Sequence, residues 1–192
     1  MAAPEARPRR RADAERNIAR IVTAARTLLG SNPNATTDDI AQAAGVGRMT
    51  LYGHFRTRAD LVEAALMDAL RVGEETLSSI DLSGDADAAM IRLLASSWRL
   101  VAESASLLTA AEDVLPPGRV RELHAAPAER MTELVRRGQE QGVYRTDLPA
   151  EWLVSVVHYV LHGAAAESRE KRLAAPDAAD VVTRTVRPML IG

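Results

Sequence analysis

The chain contains no cysteine and a single lysine, Lys171. The first absence excludes a disulfide framework, thiol catalysis and thiolate zinc sites. The second leaves arginine to carry nearly all the positive charge, a composition bias to which no function is attached. No apolar run reaches the ~18 residues that a membrane span needs. The basic N-terminus is not followed by the apolar core of a signal peptide, so a cytoplasmic protein with no membrane partner is expected. There is no Gly-rich phosphate loop, no nucleophile elbow and no His-Cys-Asp set. Glu112 and Asp113 are adjacent acids without a partner at catalytic spacing. No catalytic residue, metal or cofactor is assigned, and no enzyme activity is expected. Internal repeats and strand-like alternation are also missing. What remains is helical periodicity, which predicts an all-α chain of about nine helices.

The 192 residues, 47% of them hydrophobic, are enough for one sizeable core or for a small domain joined to a larger one. The net charge of −2 is unevenly spread. Residues 1–60 hold ten arginines against six acids, a net +4, which leaves −6 for the rest. A basic end on a slightly acidic body suits a protein that offers one end to nucleic acid.

The most informative stretch is 36–61, TTDDIAQAAGVGRMTLYGHFRTRADL. Thr36 or Thr37 is placed to cap a helix, with Asp38 and Asp39 in its first turn, where the helix dipole favours negative charge. Ile40, Ala41 and Ala44 form an apolar face, and Gly45 supplies the stop. Val46 plugs the angle of a tight turn. A second helix starts at about Arg48, with Leu51 and Phe55 inward and Arg48, Met49, Thr50, Tyr52 and His54 mostly outward. This is a helix-turn-helix layout, whose second helix lies in the major groove of DNA.

The run Ala41-x-x-Ala44-Gly45-Val46, then Thr50-Leu51-Tyr52-x-His54-Phe55, then Thr57-Arg58 and Leu61, resembles the DNA-binding domain of TetR-family transcriptional regulators. Three positions depart from the usual pattern. Gly47 stands where Ser often caps the second helix. Met49 is larger than the usual residue. Gly53 lies inside the helix, where glycine costs about 1 kcal/mol relative to alanine.

Around this motif, residues 1–12, with Pro4, Pro8 and Arg9-Arg10-Arg11, are read as a flexible basic arm. The reading head covers 13–57 and a ligand-binding and dimerisation domain 58–192. Helix 1 is expected over about 13–29, with Ile18, Ile21, Val22, Ala25, Leu28 and Leu29 as its apolar stripe. Helix 4 opens at a Thr57/Asp60 capping box and runs to about 79, with Arg58 placed to reach a phosphate. Asp85 caps a helix to about 103, followed by another over 105–114. Pro116-Pro117-Gly118 is a break. Helices are then expected over about 127–141, 149–172 and 177–190, with one or two turns between 119 and 125. The segment from Gly142 to Pro149 resembles the link before the penultimate helix of the same family.

For function, the resemblance implies a dimeric regulator, expected to be a repressor, bound to a double-stranded operator. The DNA-binding set is Thr36, Thr37, Arg48, Met49, Thr50, Tyr52, His54 and Arg58. Arg48, Met49 and Thr50 suit base edges, while Tyr52 and His54 would grip phosphates by resemblance. One helix reads too few base pairs, so a two-fold homodimer on a pseudo-palindromic site is expected. Its contact residues are placed in the last two helices, at Val156, Val160, Gly163, Ala164, Val182 and Val186. By resemblance a small, mostly apolar effector enters the C-terminal body. Candidate lining residues are Met90, Leu94, Trp98, Met131, Trp152, His158, Tyr159 and His162, with ordinary core packing the commoner use of Met90, Trp98 and Met131. His158 and His162 are four apart, a spacing that suits two metal ligands, but without a third; packing, dimer contact or pocket lining is the commoner use. The alternatives are a helical ligand-binding protein or enzyme with a non-functional reading head, and an activator of the same family.

Overall fold

The computed structural model describes residues 6–192, with side chains from Arg11 onward, that of Ala175 excepted. These residues form nine helices and no strand: α1 (Ala6–Ser31), α2 (Thr37–Ala44), α3 (Arg48–His54), α4 (Arg58–Leu77), α5 (Ala86–Val114), α6 (Arg119–Leu123), α7 (Ala125–Glu140), α8 (Ala150–Arg169) and α9 (Ala175–Ile191). None is long and apolar enough to cross a membrane.

The chain divides into two compact units. The first runs to Ala69 and takes in Ser106–Val120; the second comprises Leu70–Ala105 and Arg121–Gly192. The boundaries therefore fall inside α4, α5 and α6. The sequence-based boundary at residue 57 follows the motif, whereas these units follow packing.

The first unit buries Ile21, Ala25 and Leu29 of α1 against Ile40 and Ala44 of α2, Leu51 of α3, and Leu61, Val62 and Ala65 of α4. Each large aliphatic side chain removed from water contributes about 1.5–3 kcal/mol before ordering costs. Ile18, expected in the stripe of the first helix, is exposed. Two ion pairs tie α4 into this unit. Arg26 meets Asp68 at 3.2 Å, and Arg119 grips Glu63 through Nε and Nη2 at 3.0 and 2.5 Å.

The core of the second unit is built from Met90, Leu94 and Trp98 of α5, Met131 and Val135 of α7, Leu153, Val157 and Leu161 of α8, and Val182, Val186 and Leu190 of α9. Asp87 in the first turn of α5 accepts three hydrogen bonds from Arg187 of α9, Nε to Oδ1 at 3.0 Å and to Oδ2 at 3.1 Å, and Nη2 to Oδ2 at 2.5 Å. Gln141, at the end of α7, uses both ends of its amide on the start of α5. Its oxygen accepts from the Ala86 N–H at 2.9 Å and its nitrogen donates to the Gly84 carbonyl at 3.2 Å.

Several boundaries differ from expectation. Residues 1–5 of the expected arm lie outside the described residues, while 6–12 are the first turns of α1. Arginine and alanine are good helix formers, and Pro8 stands in the first turn, where its missing N–H has no helical partner to lose. The break expected near residue 104 is absent. No glycine or proline interrupts Ala86–Val114, so the helix continues through the point where its apolar stripe changes register. That register change is where α5 leaves one unit for the other: Trp98 packs in the second, Leu107, Ala110 and Ala111 in the first. Finally, α8 stops at Arg169, three residues early, because Lys171 takes a left-handed backbone with φ of 61°.

Candidate nucleic-acid interface

The turn between α2 and α3 is set by a few local bonds. Thr36 is the N-cap of α2. Its hydroxyl accepts from the Asp39 N–H at 3.2 Å, and the Asp39 carboxylate accepts from the Thr36 N–H at 2.9 Å. This reciprocal capping box satisfies two amide groups that a helix start leaves orphaned. The Thr36 hydroxyl, which also donates to the Asp39 carboxylate at 2.6 Å, and then the Thr36 N–H hold that carboxyl below the usual carboxylate range. Gly45 ends α2 with φ of 62°, a left-handed conformation in which any β-carbon is strained. A β-carbon there would also lie 2.5 Å from a guanidinium nitrogen of Arg20, which donates to the Gly45 carbonyl. Arg20 thus secures the turn from α1. Gly47 caps α3 without any side-chain bond, as its lack of a side chain requires.

On α3, Leu51 is buried, and Phe55 just beyond it closes the core of the unit. The opposite face is bare. Met49 is 84% exposed and Tyr52 44% exposed, while Gly53 is exposed between Tyr52 and His54. Thr50 and His54 are half-buried. The hydroxyls of Tyr52 and Thr37 lie 3.0 Å apart, which holds the phenol across the start of α2. Arg48 pairs with Asp38. Both are largely exposed, and an ion pair in water is worth no more than about 1 kcal/mol, so the guanidinium is readily given up to another anion. The structure therefore gathers Thr36, Thr37, Arg48, Met49, Thr50, Tyr52 and His54 on adjoining turns of α2 and α3.

Arg58 stands apart from the others. Its guanidinium donates to the carbonyls of Ala35 at 2.6 Å and Pro33 at 2.9 Å. The fold uses it to hold the loop entering α2, so it acts on the reading face through that loop. Sequence reasoning missed Asp38 as the partner of Arg48. The available signal was an acid in the first turn of one helix facing a base at the start of the next.

In the second unit, Met90, Leu94, Trp98 and Met131 lie in the core. Trp152 and Tyr159 do not line it: they are 55% and 66% exposed. The buried stripe of α8 is Leu153, Val154, Val157, Leu161 and Ala165, which turns residues 152 and 159 to the outside. They are withdrawn from the ligand set. Val182 and Val186 are corrected in the other direction. Both are buried in their own protomer and offer no surface to a second copy. Val156, Val160 and Ala164 are half-buried and Gly163 is exposed.

His158 and His162 are half-buried on α8, with ring centroids 6.5 Å apart. His124, just before α7, meets His162 edge-on at 6.3 Å. Among the described residues, no three His, Asp or Glu are grouped to hold a metal ion. Burial, then the neighbouring His124 and His158, pushes His162 down to about 4. Burial, then His124, lowers His158 as well. The unfolded chain, with histidines near 6.5, therefore takes up protons before the folded one. Stability is full above pH ~6.5 and falls as the pH drops toward 4. Melting scans should show a lower transition at pH 5 than at pH 7, and His162→Gln should shrink that difference.

A basic three-helix head that presents the outer face of its third helix defines a DNA-reading helix-turn-helix protein. The sequence pattern described as bacterial regulatory proteins of the tetR family matches residues 21–65. Residues 21–65 thus carry the TetR-family DNA-binding pattern. The chain is 36% identical over 87 residues to the HTH-type transcriptional repressor LfrR of Mycolicibacterium smegmatis, an alignment covering 45% of this chain and 46% of that one. The chain thus matches about half the length of that curated relative. Solved structures share the fold over nearly the whole chain. The TetR-like regulator LfrR from Mycobacterium smegmatis, solved in complex with proflavine, superposes with a TM-score of 0.72 at 23% identity, covering 93% of this chain and 98% of that one. The fatty acid degradation regulator FadR from Bacillus halodurans gives 0.71 at 20% identity, covering 92% and 95%.

Proposed function

We propose that this protein is a transcriptional repressor that binds a pseudo-palindromic operator as a homodimer and leaves it when a small, mostly apolar molecule enters its second unit. The observation that carries the reading is the outer face of α3. A methionine and a tyrosine stand exposed there beside an arginine held only by a surface ion pair. None of the three is needed by the core of the head, and each has a use in a DNA groove. Arg48, Met49 and Thr50 read base edges; Tyr52, His54 and Thr37 hold phosphates. Thr36 and Arg58 set the loop and cap that aim them.

Two copies pair through α8 and α9, and Val156, Val160, Gly163 and Ala164 lie along that contact. The two reading helices then meet half-sites about 34–36 Å apart, or a multiple of that. The effector lodges among Met90, Leu94, Trp98 and Met131, with His158 and His162 as polar groups. LfrR was solved with proflavine bound, which supports a flat or apolar effector here too. The effector displaces DNA only if it binds the two conformations with different affinity. No step in this cycle is catalytic, and the work is that of a regulator in the cytoplasm.

The test is a mobility shift with DNA from upstream of the protein's own gene and its neighbours. A salt-sensitive, sequence-selective complex is expected. Tyr52→Ala with His54→Ala should weaken binding to all sequences by roughly tenfold or more, since phosphate grips carry no sequence information. Arg48→Ala should instead change which base is preferred, at about 1–3 kcal/mol per bidentate contact. Absence of any selective complex would sink the reading, and turnover of a small molecule without DNA affinity would favour an enzyme that has kept a disused head.

A further inference from the structure

We infer that Gly53 is a DNA-contact residue: the bare backbone of α3 at this point is where the sugar–phosphate wall of the groove comes closest. The inference rests on the DNA-reading function proposed above and adds a position to it. Gly53 lies within α3, exposed, and apart from its chain neighbours and its own helix backbone nothing comes within 4 Å of where its β-carbon would stand. Its φ is not left-handed, unlike that of Gly45. It does not make room for a neighbour, as Gly138 does for the ring of Tyr144, 2.1 Å from a β-carbon built there. The fold therefore gains nothing from glycine at residue 53. It loses helix stability, because glycine has the most backbone freedom to give up.

The surroundings say what lies outside. Met49, one turn earlier on the same stripe, is 84% exposed. Tyr52 is exposed beside it, and its hydroxyl is held by Thr37 at the start of α2. The N-terminal residues of a recognition helix meet base edges, so its far end faces the backbone at the edge of the groove. A β-carbon adds about 1.5 Å along the line of approach. That is enough to break the phosphate bonds Tyr52 and His54 would make on either side, since hydrogen bonds fail beyond about 3.5 Å.

Gly53→Ala and Gly53→Leu test this, with the full-length protein and two probes. One is a duplex that the wild type recovers from a random library; the other is a duplex of unrelated sequence. Both variants should melt about 2–4 °C higher than wild type, because they replace glycine in an open helix. Affinity should fall by roughly tenfold with alanine and further with leucine, for both duplexes alike, as a backbone contact requires. Equal or tighter binding by the alanine variant overturns the inference. So does a lower melting point, which would mean that the glycine serves the fold. A loss confined to the selected duplex would make the contact a base and overturn the backbone assignment. If the wild type recovers no duplex, the DNA-reading function itself fails, and this inference with it.

Discussion

Tyr159→Glu is expected to yield a monomer that folds but binds operator at least a hundredfold more weakly than the wild type. Tyr159 is 66% exposed and Trp152, two turns earlier on the same face of α8, is 55% exposed. Gly163 follows on that face with nothing near its missing β-carbon. A row of aromatic side chains ending in a glycine is a costly surface to leave in water and a good one to press against its own two-fold copy. In a lone subunit the substitution touches no core, so its effect on stability should stay within about 0.5 kcal/mol. In a pair it buries a carboxylate with no partner, which costs several kcal/mol per copy. Losing the pair removes the second reading head, and linked sites gain about a hundredfold to ten-thousandfold over single ones. Sedimentation and a mobility shift read both effects. A variant that remains dimeric would place the pairing face elsewhere.

Gly138→Ala should lower the melting temperature by about 5–10 °C. A β-carbon on Gly138 would lie 2.1 Å from Cδ2 and 2.5 Å from Cε2 of Tyr144. That ring is 3% exposed, and its hydroxyl donates to the Ala86 carbonyl at 3.3 Å. It is a rigid buried group and has no flexible end to swing away. Forcing it aside costs about 3–4 kcal/mol in overpacking and lost contacts, against about 1 kcal/mol gained in helix propensity. The net loss of about 2–3 kcal/mol sets the expected shift. The same glycine-to-alanine change thus has opposite signs at residues 53 and 138, because only one of the two glycines has a neighbour. A melting point that holds steady at 138 would show that α7 and the following turn have room to separate.

The reading head was the most legible part of the sequence. The caps at Thr36 and Thr57, the stop at Gly45 and the inward Leu51 are each decided within three or four residues, where spacing alone identifies the partner. The body was legible as helices but not as faces. In α8 nearly every residue from Trp152 to Leu161 is apolar or aromatic, so periodicity could not say which arc turns inward. Trp152 and Tyr159, expected among the residues lining a ligand pocket, stand outside. Val182 and Val186, expected at the dimer contact, are buried within the protomer. Arg58 was similarly ambiguous. An arginine at a helix start suits a phosphate as well as it suits a carbonyl, and the carbonyls of Pro33 and Ala35 belong to a loop more than twenty residues away.

The amino-acid sequence by itself determined the helical class, the position of the turn and the inward place of Leu51 on α3, because backbone hydrogen bonding and capping act over a single turn of helix. Only the tertiary structure decided that α5 runs unbroken from one unit into the other, which side of α8 is left open, and that the missing side chain at Gly53 meets nothing beyond its own helix. Those outcomes depend on many surfaces competing for burial at once, and the winner of that competition is not written in any one segment.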